Sequence, residues 1–192
     1  MKIVASLGLF AFVVFPAATA TAVSRTAPSR PTGTESAAFA SYDGTTIDLR
    51  VGWGTAAACF TDGTVTRCFD SEAAMDAAVG STANVATSSA ANALLGGVPA
   101  ALSTCASSVR LYSGTSYTGS VLQVATRLTF VSLSTFGFDN LTSSYKVGAC
   151  SSSFYDGAAG TGSVYPGSTG AGAQFPSMVT GWSDRLGSVY LF

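Results

Sequence analysis

The chain has 192 residues, a formal net charge of −1 and only 10% charged residues. That balance excludes a basic phosphate-binding surface, so nucleic acid is not an expected partner. The absence of histidine removes the usual general base and every Ser-His-Asp or Cys-His arrangement. Two glutamates and eight aspartates are scattered mostly through turns, and no motif pairs two of them for glycoside cleavage. A non-enzyme is expected.

Met1-Lys2, an apolar run from Ile3 to Phe15 and the small residues Ala20-Thr21-Ala22 have the layout of a secretory signal peptide over 1–22. The run is short of the ~20 residues that a membrane span needs. An extracellular protein with no membrane segment in its mature form is therefore expected. Losing Lys2 leaves eight basic against ten acidic residues, a formal −2.

Residues 23–44 are rich in Ser, Thr, Pro and Ala without periodicity, which predicts a disordered segment. Residues 45–80 predict a small β-hairpin and short helix. Thr46 to Val51 alternates with period two as a strand does. Cys59 and Cys68 then flank Asp62-Gly63, a hairpin turn signal. Asp70-Ser71-Glu72 offers a helix cap, and Gly80 a stop after Val79. Residues 81–104, rich in Ala and Ser, read as a linker. Four cysteines in an exported chain imply two disulfides, for which three pairings exist. Their placement favours Cys59–Cys68 and Cys105–Cys150.

From residue 105 onward the chain repeats itself. Leu111-Tyr112-Ser113-Gly114 through Gly119-Ser120-Val121 returns 43 residues later as Phe154-Tyr155-Asp156-Gly157 through Gly162-Ser163-Val164. The stretch from Phe138 to Val147 returns at an offset of 44 around Trp182 to Leu191. One supersecondary unit used twice is the direct reading, with copies over 105–148 and 149–192. Strand-forming residues separated by Gly- and Ser-rich turns make each copy all-β. Two four-stranded Greek keys packed face to face give a β-sandwich over 105–192.

The residues that recur resemble the signature of the βγ-crystallin superfamily: an aromatic, a glycine seven positions on, and a later serine. Tyr112, Gly119 and Ser144 match in the first copy, and Tyr155, Gly162 and Ser188 in the second. The glycine suits a fold-back that needs room or a positive φ, and a serine hydroxyl can bond the backbone left open by it.

Microbial members of this family carry a calcium pattern, (Asn/Asp)-(Asn/Asp)-x-x-(Ser/Thr)-Ser. Asp139-Asn140-Leu141-Thr142-Ser143-Ser144 matches every defined position. The resemblance therefore implies Ca²⁺ held by Asp139, Asn140, Leu141 (through its carbonyl) and Ser143, with Asp184 and Arg185 in the second copy. That copy, Ser183-Asp184-Arg185-Leu186-Gly187-Ser188, departs from the pattern at Ser183 and Gly187. In the family, the fifth-position hydroxyl serves the other motif's site, so Gly187 weakens the site of Asp139 and Asn140. Ser143 remains for the site of Asp184.

Modest affinity and a stabilising role follow from so few carboxylates. Asn140-Leu141-Thr142 is also an N-glycosylation sequon, a pattern short enough to arise by chance. The alternative function is that of a secreted metalloproteinase inhibitor, because a bacterial inhibitor family looks like this fold with two disulfides. Its partner would be an extracellular protease, met by the Asp62-Gly63 tip or the segment from Gly167 to Gly172.

Overall fold

The computed structural model describes residues 38–80 and 108–192. The expected signal peptide, the linker at 81–104, Cys105 and most of 23–44 lie outside the described residues.

The first hairpin joins β1 (Phe39–Tyr42) to β2 (Thr45–Asp48) through Asp43-Gly44. Both turn residues have positive φ, +47° and +72°, as a two-residue hairpin turn demands. A strand therefore stands inside the stretch whose composition predicted disorder. Strand β2 stops short of the expected Val51. The Asp48 carboxylate accepts the Arg50 N–H at 3.0 Å and holds its guanidinium at 2.9 Å, which turns the chain.

The second hairpin, β3 (Ala58–Thr61) with β4 (Thr66–Phe69), is the one expected. Cys59 and Cys68 face each other across it and are disulfide-bonded. At its tip, Asp62 Oδ1 accepts the N–H groups of Thr64 and Val65, each at 2.8 Å. Helix α1 follows at 72–80, capped by Ser71 Oγ, which accepts the Ala74 N–H at 3.2 Å. Cys150 is disulfide-bonded as well, while Cys105, its expected partner, lies outside the described residues.

The first repeat supplies β5 (Val109–Tyr112), β6 (Val121–Val124), β7 (Phe130–Ser132) and β8 (Ser144–Val147). The second supplies β9 (Ser152–Tyr155), β10 (Gln174–Phe175) and β11 (Ser188–Leu191), with a lone bridge from Val164 to Tyr155 where β6 has its counterpart. Pro166 follows that bridge and has no N–H to extend the ladder.

The two copies do not build one sheet each. Strand β7 pairs with β11 of the second copy, and β10 pairs with β8 of the first. The expected sandwich thus forms with its third strands exchanged, which locks the copies together.

Among the described residues, one sheet has eight strands, in the order β10-β8-β5-β6-β3-β4-β1-β2, and the other has three, β7-β11-β9. The N-terminal hairpins extend the large sheet, β3 running parallel to β6 and β1 parallel to β4. Alternation sends neighbouring residues to two cores. Val109, Leu111, Leu122, Val124 and Cys59 face the main core, where Tyr145, Phe154 and Leu186 also lie. Ala58, Phe60, Tyr112 and Val121 face the other way and are covered by Met75 of α1. That double burial explains why every residue of β3 and β6 is buried.

Ion pairs pin the helix there. Arg110 Nη1 lies 2.7 Å from Glu72 Oε1, and Arg110 also pairs with Asp76. The Tyr112 hydroxyl donates to the same Glu72 oxygen at 2.7 Å. Burial, and then the Glu72 bond, push the Tyr112 pKa upward.

Candidate metal centre

The signature residues build the same fold-back twice. Ser144 Oγ donates to the Gly114 carbonyl at 2.6 Å and accepts the Tyr117 N–H at 3.1 Å. In the second copy, Ser188 Oγ donates to the Gly157 carbonyl at 2.6 Å and accepts the Gly160 N–H at 2.9 Å. Gly119 and Gly162 have φ of +78° and +80°. A Cβ on them would lie 2.3 Å from Ser113 Oγ and 2.1 Å from Asp156 Oδ1, respectively. The rings of Tyr112 and Tyr155 pack edge to face, on Tyr117 at 5.5 Å and on Phe130 at 5.6 Å.

The two calcium-pattern loops cross over a local pseudo-twofold. The Asn140 N–H donates to the Leu186 carbonyl at 3.0 Å, and the Asp184 N–H donates to the Thr142 carbonyl at 2.9 Å. Asn140 and Asp184 share a φ of +55°. Each fifth position is tied to its own hairpin: the Ser143 N–H to the Tyr112 carbonyl at 2.9 Å, the Gly187 N–H to the Tyr155 carbonyl at 2.8 Å. The backbone is symmetric; the side chains are not.

On one side of the crossing, Ser143 Oγ donates to Asp184 Oδ1 at 2.9 Å, joining a hydroxyl of one copy to a carboxylate of the other. Ser183 is exposed beside Asp184. On the opposite side, Gly187 offers no hydroxyl, and a Cβ there would lie 2.6 Å from the Asp156 carbonyl oxygen. Asn140 Nδ2 instead donates to Asp139 Oδ2 at 2.9 Å. Partial burial raises the Asp139 pKa above its ordinary value. Leu141 is 44% exposed at the third position.

Its counterpart, Arg185, has its side chain engaged with the second copy's hairpin. The Arg185 guanidinium holds Asp156 Oδ2 at 2.7 and 3.2 Å and lies over the Trp182 ring at 5.0 Å. Asp156 Oδ1 accepts the Ser163 N–H at 2.5 Å. That bond, and next the Arg185 guanidinium, hold the Asp156 carboxyl below its ordinary pKa. Sequence reasoning passed over Asp156, although the 43-residue offset sets it against Ser113, whose Oγ takes the equivalent Ser120 N–H at 2.9 Å.

Among the described residues, no three Asp, Glu, Cys or His side chains come together. A cation here would depend on one carboxylate with hydroxyls and carbonyls, donors that suit Ca²⁺ rather than a transition metal. The Ser143–Asp184 side fits that demand: its two oxygens are near enough to serve one ion with bonds of about 2.3–2.6 Å. The Asp139–Asn140 side fits less well, because Gly187 has no side-chain oxygen and its carbonyl already accepts the Leu133 N–H at 2.9 Å.

No protein-family model matches the chain, and no curated protein matches it. Solved structures of βγ-crystallin domains are similar to it over about half its length. A βγ-crystallin from Ciona intestinalis is 23% identical, with 44% of this chain and 99% of that one covered at a TM-score of 0.38. A βγ-crystallin domain from Clostridium beijerinckii is 18% identical, covering 44% and 97% at a TM-score of 0.37. A βγ-crystallin from an archaeon is 14% identical, covering 45% and 99% at 0.36.

Proposed function

We propose that the chain is an exported, non-enzymatic protein with a βγ-crystallin-like domain, which binds one Ca²⁺ with modest affinity and uses it for stability. The observation that carries this reading is the bond from Ser143 Oγ to Asp184 Oδ1 at 2.9 Å. It brings metal-suited oxygens from two copies to the point where their loops cross. Ser143 and Asp184 would hold the ion, and Asp139 and Asn140 form the weaker half. Bound calcium would neutralise the Asp184 carboxylate and join the two loops.

A dissociation constant on the order of 10⁻⁵ to 10⁻³ M suits such a donor set. At calcium of ~100 times that constant, the fold gains about 2.7 kcal/mol. The melting temperature of the oxidised protein should therefore rise by several degrees from EDTA to millimolar calcium. Asp184→Ala should abolish the rise, and Asp139→Ala should leave most of it. An unchanged melting temperature in the native protein removes the calcium reading.

The second reading is proteinase inhibition through the β3–β4 tip. Val65 is 49% exposed there, on a turn held by Asp62 and a disulfide at its base. A rigid exposed loop is what such an inhibitor presents. Loss of thermolysin-type activity on adding the oxidised protein, relieved by Val65→Asp, tests it.

A further inference from the structure

We propose that Asn140 is an N-glycosylation site, with a lipid-linked oligosaccharide as donor. The inference rests on the expected export of the chain and is independent of the calcium reading. Of the three asparagines, Asn84, Asn92 and Asn140, only Asn140 opens an Asn-x-Ser/Thr pattern, and neither Leu141 nor Ser143 is proline. Pattern alone would carry little. Two features of the fold carry more.

The first is Thr142. Its side chain is fully buried at the loop crossing, and among the described residues its Oγ1 has no hydrogen-bond partner. A buried, unpaired hydroxyl works against folding, since it surrenders water for nothing. The pseudo-twofold shows what the position asks for: its counterpart is Leu186, equally buried and wholly apolar. Of the Thr142 side chain, the folded protein thus uses only the methyl and carbons, while the backbone carbonyl holds the Asp184 N–H. The hydroxyl has a use before folding, when the extended Asn-Leu-Thr segment is read as an acceptor.

The second is Asn140 itself. It lies exposed in a turn at φ +55°, with its side chain outside both cores. Its Nδ2 donates one hydrogen bond, to Asp139 Oδ2 at 2.9 Å. The amide carries two protons, so a sugar can replace one and leave that bond intact. The first sugars would then lie beside Leu141, an apolar side chain that the fold leaves 44% exposed.

In the transfer, Asn140 Nδ2 attacks C1 of the polyprenyl-diphosphate-linked sugar. The C1–N bond forms and the C1–O bond to the diphosphate breaks. The polyprenyl diphosphate leaves with the electron pair, and the amide gives up one proton to base. The sugar would close the Asp139–Asn140 half to metal and leave Asp184 with Ser143.

The test is secretion of the full chain, with its own leader, from an N-glycosylating yeast. Intact mass is measured before and after an amidase that releases N-glycans and leaves aspartate in place of the asparagine. The expected result is an excess mass lost on that treatment, with the new aspartate at position 140. Asn140→Gln and Thr142→Val should both lack the excess, and Thr142→Ser should keep it. Thr142→Val should also melt no lower than the native protein, which separates loss of the acceptor from misfolding. Secretion at unmodified mass overturns the proposal. So does excess mass persisting in Asn140→Gln or Thr142→Val, or retention of the unglycosylated native chain inside the cell. Calcium melting on bacterially made, sugar-free protein is read separately.

Discussion

The signature glycines show how a single missing carbon fixes the fold-back. Gly162 has φ +80°, and a Cβ would stand 3.0 Å from the Gly157 nitrogen as well as against Asp156 Oδ1. Gly162→Ala therefore carries both a left-handed backbone penalty and a clash, together about 1–3 kcal/mol. Urea titration should find that loss, with Gly119→Ala losing a similar amount. These residues were legible because tyrosine, glycine and serine recur at one offset. Asp156 and Arg185 were not, because a charge pair 29 positions apart leaves no periodic trace.

The Asp156–Arg185 contact belongs to the element scale, since it ties the β9 hairpin to the loop before β11. Its carboxyl pKa is depressed in the folded state, so its stabilising effect is present above the ordinary carboxylate range. The effect is lost as pH falls through the depressed value. In calcium-free buffer, acidification from neutral should lower the melting temperature of the native protein. Asp156→Asn should start lower at neutral pH and fall less steeply.

Other elements differed in how openly the sequence announced them. Asp62-Gly63 marked the β3–β4 hairpin because apolar, cysteine-bearing strands flank it. Asp43-Gly44 is the same signal, but the Ser, Pro and Ala residues upstream hid β1. Strand β10 is only two residues long, too short to display a period.

At the scale of the whole molecule, the sequence legibly carried a repeated all-β unit but not its partners. Alternation tells which face a residue takes, not which strand lies beside it. The exchange of β7 and β10, and the parallel contact of β3 with β6, therefore emerged only in three dimensions. The consequence is that the repeat is not self-sufficient. Leu49, Cys59 and Cys68 share the main core with it, and α1 covers the opposite face at Tyr112 and Val121. A fragment starting at residue 105 should show a cold-labile, dye-binding state with a melting temperature well below that of the full oxidised protein. Equal melting of the two would show that the N-terminal hairpins are dispensable.

The cramped carbon at position 187 also limits what substitution can achieve. Restoring the missing hydroxyl by Gly187→Ser looks like a one-letter repair, yet the serine Cβ would arrive 2.6 Å from the Asp156 carbonyl oxygen and 2.9 Å from the Gly157 carbonyl carbon. The β9 hairpin would have to retreat, stretching the Gly187 N–H bond to Tyr155 that anchors the loop. An engineer seeking a two-ion version of this protein would need to redesign that hairpin before changing any ligand.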